Sequence, residues 1–306
     1  MKIFLTGASG FIGSHLFKYI IQKPNIEVLI LLRDEKKIST IFKDIPGVRY
    51  IKGDLLDINS FSDELINFDP DIFFHLGWIG VENFNRNNLL QFKNLKVTLD
   101  LIDLLPKLNL KKFIGVGSQA EYGNLDKKIN EFSETKPTTN YGFCKLKSYE
   151  LLSYYFLQTN ITFCWVRLFS SFGPGDNSCW LIPSIINHIL EGRSPELTSC
   201  DQLWDYVYID DVIKAIISIM ESNLTDGVYN LGSGNAYELK EIVKYIRDTI
   251  NPKIQLGFGK VPYRGDQVMH LQADIRKLKN DTTWVPRNTL YEDLAQTINF
   301  YINEKK

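Results

Sequence analysis

The stretch Met1-Lys-Ile-Phe-Leu-Thr-Gly-Ala-Ser-Gly-Phe-Ile-Gly13 decides the fold of this chain. Its apolar run at residues 3–5 predicts a short buried strand. Gly7, Gly10 and Gly13 follow at intervals of three residues. The apolar residues after the turn have helical spacing: Phe11, Ile12, Leu16, Phe17, Ile20 and Ile21. The stretch therefore predicts a strand, a tight glycine turn and an amphipathic helix.

A glycine turn at the start of a helix suits a phosphate group. Glycine lets the backbone bend tightly and lets a ligand approach it closely. The helix N-terminus offers unpaired N–H groups and the positive end of the helix dipole. We therefore predict that the pyrophosphate of a dinucleotide binds at Gly7, Gly10 and Gly13. The alternative is a loop that only packs the helix against the strand.

Strand-like and helix-like patterns alternate through the first half of the chain, as in repeated βαβ units. Further strands are predicted at residues 26–32, 48–51, 71–76, 112–116 and 161–167. Helices are predicted from about Asp34, over 83–105 and over 140–156. This order predicts an α/β fold built on a Rossmann-like doubly wound parallel sheet.

The alternation loosens after Gly173-Pro-Gly-Asp176, where less regular elements predict a smaller α/β substrate lobe. A strand over 206–209, a helix over 210–221 and a strand over 227–231 are predicted to return to the main sheet. We therefore divide the chain into two parts. They are a dinucleotide-binding domain, residues 1–172 and 205–234, and a substrate lobe, residues 173–204 and 235–306.

Bulk composition limits the possible partners. The chain is 44% hydrophobic and 23% charged, with a formal net charge of −1. Nucleic acids and anionic membrane surfaces usually bind a basic face, so neither is a predicted partner. No run of about twenty apolar residues is present to span a bilayer, and the apolar start lacks the layout of a signal peptide. We therefore expect a cytoplasmic protein.

The cysteines and histidines give no sign of a metal site. The four cysteines lie far apart in sequence: Cys144, Cys164, Cys179 and Cys200. The four histidines are equally scattered: His15, His75, His188 and His270. Because the paired spacing of a zinc site or a disulfide framework is missing, we expect reduced cysteines and no bound metal.

Tyr141 and Lys145 lie four residues apart on a predicted helix, so their side chains share one face. Tyrosine ordinarily has a pKa of about 10, and an adjacent ammonium favours its phenolate. The pair is therefore a candidate acid and base, although such pairs also arise by chance on exposed helices. Ser118 follows the fifth predicted strand, at the edge where parallel sheets bind their ligands.

Three motifs in this order resemble the extended short-chain dehydrogenase/reductase family of nucleotide-sugar epimerases, dehydratases and reductases. They are Thr6-Gly-x-x-Gly-x-x-Gly13, the segment 117–123 and Tyr141-x-x-x-Lys145. Further matches extend over essentially the whole chain: Gly53-Asp-Leu55, His75-Leu76, Arg167-Leu-Phe169, Gly173-Pro-Gly175, Asp205-Tyr-Val-Tyr-Ile-Asp-Asp211, Asn230-Leu-Gly-Ser-Gly234 and Arg264-Gly-Asp266. The segment 117–123 is also similar to that of bacterial 4-ketoreductases of nucleotide-linked 6-deoxy-4-ketohexoses.

The resemblance implies roles for the matching side chains. Tyr141 would be the general acid and base, and Lys145 would hold the nicotinamide ribose and lower the pKa of Tyr141. Ser118 would bind the reacting sugar oxygen and Tyr141. Cofactor contacts would come from Gly7, Ser9, Gly10, Phe11, Ile12, Arg33, Asp54, Leu55, Leu76, Tyr141 and Lys145. Substrate contacts would come from Ser118, Gln119, Trp204 and Arg264.

Several of these assignments have structural alternatives. Asp54 would meet the adenine or cap its own loop, and Arg264 would contact the diphosphate or lie on the surface. Asn94 matches an asparagine near the family's catalytic residues, but a capping or solvated asparagine fits as well. Trp204 stands where many relatives carry an arginine on the phosphates, and it would stack on the substrate or pack as a core aromatic. Ser170 replaces a frequent asparagine.

The residues after Ser118 depart from the pattern of the dehydratases. Those enzymes carry an Asp-Glu pair there, because eliminating water needs an additional acid and base. This chain has Gln119 and Ala120 instead, and Ala120 transfers no proton. Glu121 comes one place late and would face the other way in an extended segment. Net 4,6-dehydration is therefore disfavoured.

The end of the second predicted strand bears on the cofactor. NAD-dependent relatives place an acidic residue there, which binds both ribose hydroxyls and repels a 2′-phosphate. This chain has Leu32 followed by Arg33, whose guanidinium pairs well with a phosphate. A shift of one residue would bring Asp34 to that position instead. The sequence thus favours NADP(H) over NAD(H).

The favoured function is NADPH-dependent reduction of the C4 ketone of a nucleotide-linked 6-deoxy-4-ketohexose, for deoxysugar and surface polysaccharide biosynthesis. A nucleotide-sugar 4-epimerase with bound NAD is the nearest alternative. A non-catalytic NAD(P)-binding sensor would have no need of Ser118, Tyr141 and Lys145. The resemblance also implies a homodimer, packed through the helices predicted over 83–105 and 140–156.

Overall fold

The computed structural model describes residues 1–34, 45–265 and 267–305. The helix predicted from about Asp34 falls mainly on residues 35–44, outside the described residues, and so does Asp266. Within the described ranges, no helix is both long enough and apolar enough to cross a bilayer. The same ranges contain no group of three His, Cys, Asp or Glu side chains that could hold a metal ion.

The strands are β1 (Lys2–Thr6), β2 (Glu27–Leu32), β3 (Val48–Lys52), β4 (Ile72–His75), β5 (Lys112–Ser118), β6 (Lys127–Ile129), β7 (Thr162–Leu168), β8 (Ser170–Phe172), β9 (Leu203–Trp204), β10 (Tyr206–Tyr208), β11 (Gly227–Leu231), β12 (Tyr237–Glu238) and β13 (His270–Ala273). A seven-stranded parallel sheet has the order β11-β7-β5-β4-β1-β2-β3. Two smaller sheets have the orders β10-β8 and β12-β9-β13-β6. The predicted Rossmann-like α/β fold is confirmed.

The α-helices are α1 (Phe11–Ile20), α2 (Ser62–Phe68), α3 (Lys93–Leu104), α4 (Asn140–Phe156), α5 (Leu181–Leu190), α6 (Ile209–Glu221), α7 (Leu239–Ile250), α8 (Arg276–Asp281) and α9 (Leu290–Glu304). Short 3₁₀ helices lie at Ile58–Ser60, Asn83–Asn85, Leu89–Phe92, Leu105–Lys107 and Gln119–Glu121. α1 and α4 begin beside the carboxyl ends of β1 and β5, and these two junctions carry the candidate site.

Successive residues of the central strands pack on opposite faces of the sheet. Ile3 and Leu5 belong to one buried apolar cluster, whereas Phe4 between them belongs to a second. β5 lies between β4 and β7, and all of its residues are buried. The strands in the middle of the sheet are therefore buried along nearly their whole length, because a parallel sheet is covered on both faces.

One strand lies outside the predicted sheet. We predicted that residues 206–209 return to the main sheet, and this prediction is wrong, because β10 pairs with β8 instead. Both edges of β7 are already paired, with β5 on one side and β11 on the other. β8 continues the chain beyond β7 and offers β10 a free edge. The strand predicted over 227–231 does join the main sheet, as β11.

The helix predicted over 83–105 is interrupted. The 3₁₀ turns Asn83–Asn85 and Leu89–Phe92 precede α3. Asn88 has an extended backbone (φ −73°, ψ 143°), and its side chain accepts a hydrogen bond from the Leu90 N–H at 2.8 Å. Asparagine side chains compete in this way with helical hydrogen bonds, so apolar periodicity alone overestimates the length of the helix.

Candidate active site

A cleft of about 1380 Å³ lies at the carboxyl ends of the central strands. Every residue predicted to contact cofactor or substrate lines it: Gly7, Ser9, Gly10, Phe11, Ile12, Arg33, Asp54, Leu55, Leu76, Ser118, Gln119, Tyr141, Lys145, Trp204 and Arg264. Residues far apart in sequence are thus brought into one site. Their individual roles remain proposals.

The glycine turn between β1 and α1 is shaped by close backbone contacts. Gly7 has a φ of +76°, and its carbonyl accepts a hydrogen bond from the Gly10 N–H at 3.0 Å. A Cβ atom on Gly13 would lie 2.0 Å from the Gly7 oxygen, so only glycine fits there. No side chain caps the start of α1, and its first turn has no acidic residue. The backbone N–H groups of this turn therefore suit a phosphate.

Thr6 joins this turn to the loop that follows β4. Its hydroxyl lies 3.0 Å from His75 Nδ1 and accepts a hydrogen bond from the Gly77 N–H at 3.1 Å. Burial lowers the pKa of His75 to about 3, so the imidazole is neutral at physiological pH. His75 therefore acts as a structural contact beneath the cleft.

The predicted adenosine end of the cleft holds Arg33, Asp34 and Asp54. Arg33 and Asp34 directly follow β2, and both are exposed. Asp54 Oδ1 accepts a hydrogen bond from the Leu56 N–H at 3.0 Å, so this carboxylate caps its own loop. Asp54 also lines the cleft. Its predicted contact with the adenine stays a prediction.

Ser118 and Tyr141 meet where α4 packs against the end of β5. Ser118 Oγ accepts a hydrogen bond from the Ala120 N–H at 3.2 Å, and the Ser118 side chain hydrogen-bonds Tyr141. A Cβ atom on Gly142 would lie 2.3 Å from the Ala120 oxygen. The glycine therefore allows the start of α4 to approach the turn after β5, which brings Tyr141 to Ser118.

Tyr141 is buried, and burial raises the pKa of its phenol. The charge of Arg86 and the hydrogen bond with Ser118 act in the opposite direction. Lys145 Nζ lies 6.0 Å from the centroid of the Tyr141 ring. Of the two nearby cations, Arg86 therefore lowers the pKa of this phenol more than Lys145 does. Arg86 was not identified from the sequence.

Lys145 is almost fully buried under an aromatic ring. Its Nζ donates a hydrogen bond to the Val116 carbonyl at 2.6 Å and lies 3.8 Å from the centroid of the Trp78 ring. Burial lowers the pKa of Lys145 to about 7, against the opposing charge of Glu121. The ammonium form is therefore costly in the absence of a ligand.

Glu121 faces the protein interior. Its Oε1 accepts hydrogen bonds from the Ser118 N–H at 2.8 Å and from Trp165 Nε1 at 3.0 Å, and Arg167 Nε donates to Oε2 at 2.7 Å. Both oxygens of the carboxylate are engaged in these hydrogen bonds. As expected from the sequence, Glu121 is not placed to act as the additional acid or base of a dehydratase.

Asn94 holds the loop after β4 in place. Its Oδ1 accepts a hydrogen bond from the Ile79 N–H at 2.9 Å, and its Nδ2 donates to the Ile79 and Gln91 carbonyls at 3.1 Å each. Gln91 in turn accepts a hydrogen bond from Trp78 Nε1 at 2.9 Å. Asn94 is therefore neither solvated nor the N-cap of α3, but a buried side chain that holds this loop against the helix. Its role near the catalytic residues stays a prediction.

Trp204 and Ser170, two residues that depart from the family pattern, are in contact. Trp204 Nε1 donates a hydrogen bond to Ser170 Oγ at 2.7 Å. The indole is half-buried and lines the cleft beside the residues that follow β7. The hydrogen bond fixes the plane of this ring, so Trp204 offers an oriented aromatic wall.

The cleft residues that were not identified from the sequence include Trp78, Arg86 and Trp180. Trp78 lies three residues beyond the end of β4, and its position past the carboxyl end of a parallel strand is a signal that could have identified it. Arg86 falls within the region predicted as a helix, and no spacing pattern marks it. Its guanidinium lies 4.9 Å from the centroid of the Tyr141 ring and 5.3 Å from that of Trp180.

A family model and several known proteins match this chain over most of its length. The model of the NAD dependent epimerase/dehydratase family matches residues 3–232. CDP-abequose synthase from Yersinia pseudotuberculosis is 28% identical over 277 residues, which cover 88% of this chain and 91% of that protein.

Two solved structures are similar over nearly the whole chain. UDP-N-acetylglucosamine 4-epimerase from Methanobrevibacter ruminantium M1, in complex with UDP-N-acetylmuramic acid, is 25% identical with a TM-score of 0.89, covering 99% of this chain and 98% of that one. UDP-glucuronic acid 4-epimerase from Bacillus cereus, in complex with UDP-glucuronic acid and NAD, is 22% identical with a TM-score of 0.90, covering 99% and 100%. The second likeness shows the fold alone.

Proposed function

This chain belongs to the NAD-dependent epimerase/dehydratase family, and we propose that it is an NADPH-dependent reductase of the C4 ketone of a nucleotide-linked 6-deoxy-4-ketohexose. The observation that carries this proposal is the meeting of Ser118 and Tyr141 in the cleft beside an Ala120 that transfers no proton. The site therefore has the groups for one proton transfer at a sugar oxygen. Gln119 and Ala120 stand where a dehydratase carries its additional acid and base for the elimination of water.

The residues present fit a dinucleotide cofactor. The uncapped start of α1 and the glycine turn would hold its pyrophosphate, and Lys145 would hold the nicotinamide ribose. When bound, the cofactor supplies a hydride to the C4 carbon of the sugar. Ser118 would bind and polarise the ketone oxygen. Tyr141 would donate its phenolic proton to that oxygen as it becomes a hydroxyl.

Arg33 supports NADPH as the cofactor. It is exposed directly after β2 and lines the cleft, where its guanidinium is available to a 2′-phosphate. The structure of the Bacillus cereus relative holds NAD, so the family as such does not require NADPH. Asp34 lies beside Arg33, and its carboxylate favours the ribose hydroxyls of NAD(H). The ratio of kcat/KM for NADPH over NADH therefore tests this assignment directly.

Reduction and epimerisation are the two candidate reactions. The likeness to CDP-abequose synthase supports 4-ketoreduction. The likeness to a UDP-N-acetylglucosamine 4-epimerase supports inversion at C4. A reductase consumes one cofactor per product, whereas an epimerase returns the hydride to the opposite face of the same sugar.

The test is to incubate the protein with 4-keto and 4-hydroxy nucleotide sugars carrying CDP, dTDP, GDP or UDP. NADPH absorbance and the stereochemistry of the product are followed together. We expect one NADPH oxidised per 4-keto sugar reduced. Inversion of a 4-hydroxy sugar without net loss of cofactor would overturn the assignment in favour of the epimerase.

Two variants assign the chemistry to the site. Tyr141→Phe removes the proton donor, and we expect a loss of about 10²–10⁴-fold in kcat. Tyr50→Phe is the matched control, because Tyr50 lies on the edge strand β3, is 53% exposed and does not line the cleft. Cofactor binding without turnover of any sugar would point instead to a sensor.

We also propose that the protein is a homodimer. Apolar side chains on the outer sides of α3 and α4 and beside them are exposed: Leu89, Phe92, Leu99, Phe143, Leu151, Tyr154 and Leu157. Such a patch on neighbouring helices suits a self-complementary interface. Light scattering during size exclusion should give a dimer, and Leu151→Glu should give a monomer. Lys18→Glu on α1 is the control, and a monomeric parent protein would refute the dimer.

The division into a dinucleotide-binding domain and a substrate lobe is likewise a proposal. Strands of the main sheet bring the glycine turn and Ser118 to the cleft, and the small sheet β12-β9-β13-β6 brings Trp204 to it. β6 belongs to the first part in sequence, yet it pairs with β13. The two parts are therefore joined by a shared sheet as well as by the cleft.

A further inference from the structure

Arg86 is held by the same framework as Tyr141. The Arg86 carbonyl accepts a hydrogen bond from the Tyr141 N–H at 2.8 Å. The next residue, Asn87, is fastened to the start of α4, because Asn140 Nδ2 donates to its carbonyl at 2.8 Å. Arg86 therefore keeps a fixed position relative to the proposed proton donor, although 54 residues separate them in sequence.

The guanidinium of Arg86 lies between two aromatic rings. Its central carbon is 4.9 Å from the centroid of the Tyr141 ring and 5.3 Å from that of Trp180. Arg86 Nε is buried without a hydrogen-bond partner, and no ion pair within the described ranges includes this side chain. No described carboxylate neutralises the charge, which therefore acts on the ring faces beside it.

The other groups that face Tyr141 are arranged differently. Lys145 lies 6.0 Å from the Tyr141 ring centroid, but its Nζ is bonded to the Val116 carbonyl and lies closer to Trp78. Burial brings the pKa of Lys145 to about 7, whereas a guanidinium stays protonated throughout the physiological range. Glu121 opposes a negative charge on Tyr141, and Ser118 hydrogen-bonds the phenol. Arg86 is thus the permanent cation of this group.

We propose that Arg86 is a positioning residue whose guanidinium stabilises the Tyr141 phenolate through the face of the ring. In the proposed reduction, the phenolic O–H bond of Tyr141 breaks and its proton goes to the C4 oxygen of the sugar. The negative charge left on Tyr141 then lies beside Arg86 until the phenolate is reprotonated by solvent. The inference rests on the proposed role of Tyr141, and on the contacts of Arg86.

The first test is independent of turnover. The full-length protein is labelled with ¹³Cζ-tyrosine, saturated with NADP⁺ and titrated by NMR, and the Tyr141 resonance is assigned by its absence in Tyr141→Phe. We expect Arg86→Met to raise the pKa of Tyr141 by about one unit, from the usual strength of a desolvated cation–π contact. Arg86→Lys should keep it within about 0.3 units, because the charge remains.

Arg193→Met is the matched control, since Arg193 is exposed and pairs with Glu191 outside the cleft. An unchanged pKa of Tyr141 in Arg86→Met would overturn the proposal. An equal shift in Arg86→Met and Arg86→Lys would also overturn it, because a structural effect of the side chain, rather than its charge, would then be responsible.

The second test uses the reaction. Reduction needs the protonated phenol, so kcat falls at alkaline pH as Tyr141 ionises. Loss of the Arg86 charge should move this alkaline limit upward by about one pH unit and slow the reverse oxidation about tenfold at pH 7. Arg86→Lys should retain the parent profile. If NMR shows the shift but no nucleotide sugar is turned over, the proposed function fails while the role of Arg86 stands.

Discussion

Glu121 and Arg167 form an ion pair that is almost completely removed from solvent, with Arg167 Nε 2.7 Å from Glu121 Oε2. The second carboxylate oxygen accepts the Ser118 N–H at 2.8 Å. Arg167 lies on β7 and Ser118 ends β5, so the pair links two neighbouring strands at the candidate active site. The carboxylate that directly follows the two dehydratase positions thus supports the backbone of Ser118.

Breaking this pair should cost much stability. In Glu121→Ala the Arg167 guanidinium loses its buried counter-charge, and we expect the free energy of unfolding to fall by about 3–5 kcal/mol. Guanidinium chloride unfolding followed by far-UV circular dichroism measures the change. Glu241→Ala is the matched control, because Glu241 pairs with Lys244 on the exposed side of α7 and should lose less than about 1 kcal/mol. Equal losses in both variants would contradict this reading of Glu121.

The glycine turn should not tolerate a side chain at residue 13. A Cβ atom there would lie 2.0 Å from the Gly7 oxygen and 2.9 Å from the Ala8 Cα, and both contacts are with backbone. We expect Gly13→Ala to lower the free energy of unfolding by about 1–3 kcal/mol and to weaken NADP(H) binding at least about tenfold. Fluorescence titration with NADPH and thermal unfolding measure the two effects.

Gly265→Ala is the matched control for stability, because a Cβ atom at Gly265 meets nothing within 4 Å. It should unfold like the parent protein. A Gly13→Ala variant with parental stability and parental cofactor affinity would show that the turn can open without cost. The pyrophosphate would then have to bind elsewhere in the cleft.

Arg33 should set the preference between the two cofactors. An arginine–phosphate contact is a charge-assisted hydrogen bond, and losing it costs about 1.5–3 kcal/mol. We therefore expect Arg33→Ser to lower the ratio of kcat/KM for NADPH over NADH by about 10–100-fold. Arg49→Ser is the control, since Arg49 is an exposed arginine on the neighbouring β3. A parent enzyme that prefers NADH would refute the assignment of NADPH.

The sequence predicted those features that depend on local pattern. The glycine turn, the strands of the main sheet and α4 follow from apolar periodicity and from glycine spacing. The start of α4 is further fixed by Thr139, whose hydroxyl accepts a hydrogen bond from the Gly142 N–H at 3.1 Å. The sequence also predicted that Ser118 and the helix of Tyr141 lie at the same edge of the sheet, because both follow β5.

Features that depend on contacts between distant side chains were missed. The interruption at Asn88 comes from one side-chain hydrogen bond, which leaves the apolar pattern unchanged. The place of β10 depends on which edges of the sheet are already filled. Arg86 reaches Tyr141 only because its loop is fastened to α4, and no spacing in the sequence contains that information.

Lys145 should make the stability of the cofactor-free protein depend on pH. Its pKa is lowered to about 7 by burial, whereas a lysine in the unfolded chain titrates at about 10.4. Between these values the unfolded chain binds one more proton than the folded protein, so the free energy of unfolding rises with pH. Below pH 7 both states are protonated, and the cost of burying the ammonium is fully present.

We therefore expect the parent protein to gain about 2 kcal/mol between pH 7 and pH 9 relative to Lys145→Met, which has no such group. Urea unfolding at pH 7, 8 and 9 measures this difference. The buried cysteines titrate in part of the same range with the opposite sign, but they are present in both proteins and cancel in the comparison. Lys244→Met, which removes a lysine from the exposed side of α7, should follow the parent curve. If Lys145→Met follows it too, the Lys145 ammonium is not destabilised by its position between Val116 and Trp78.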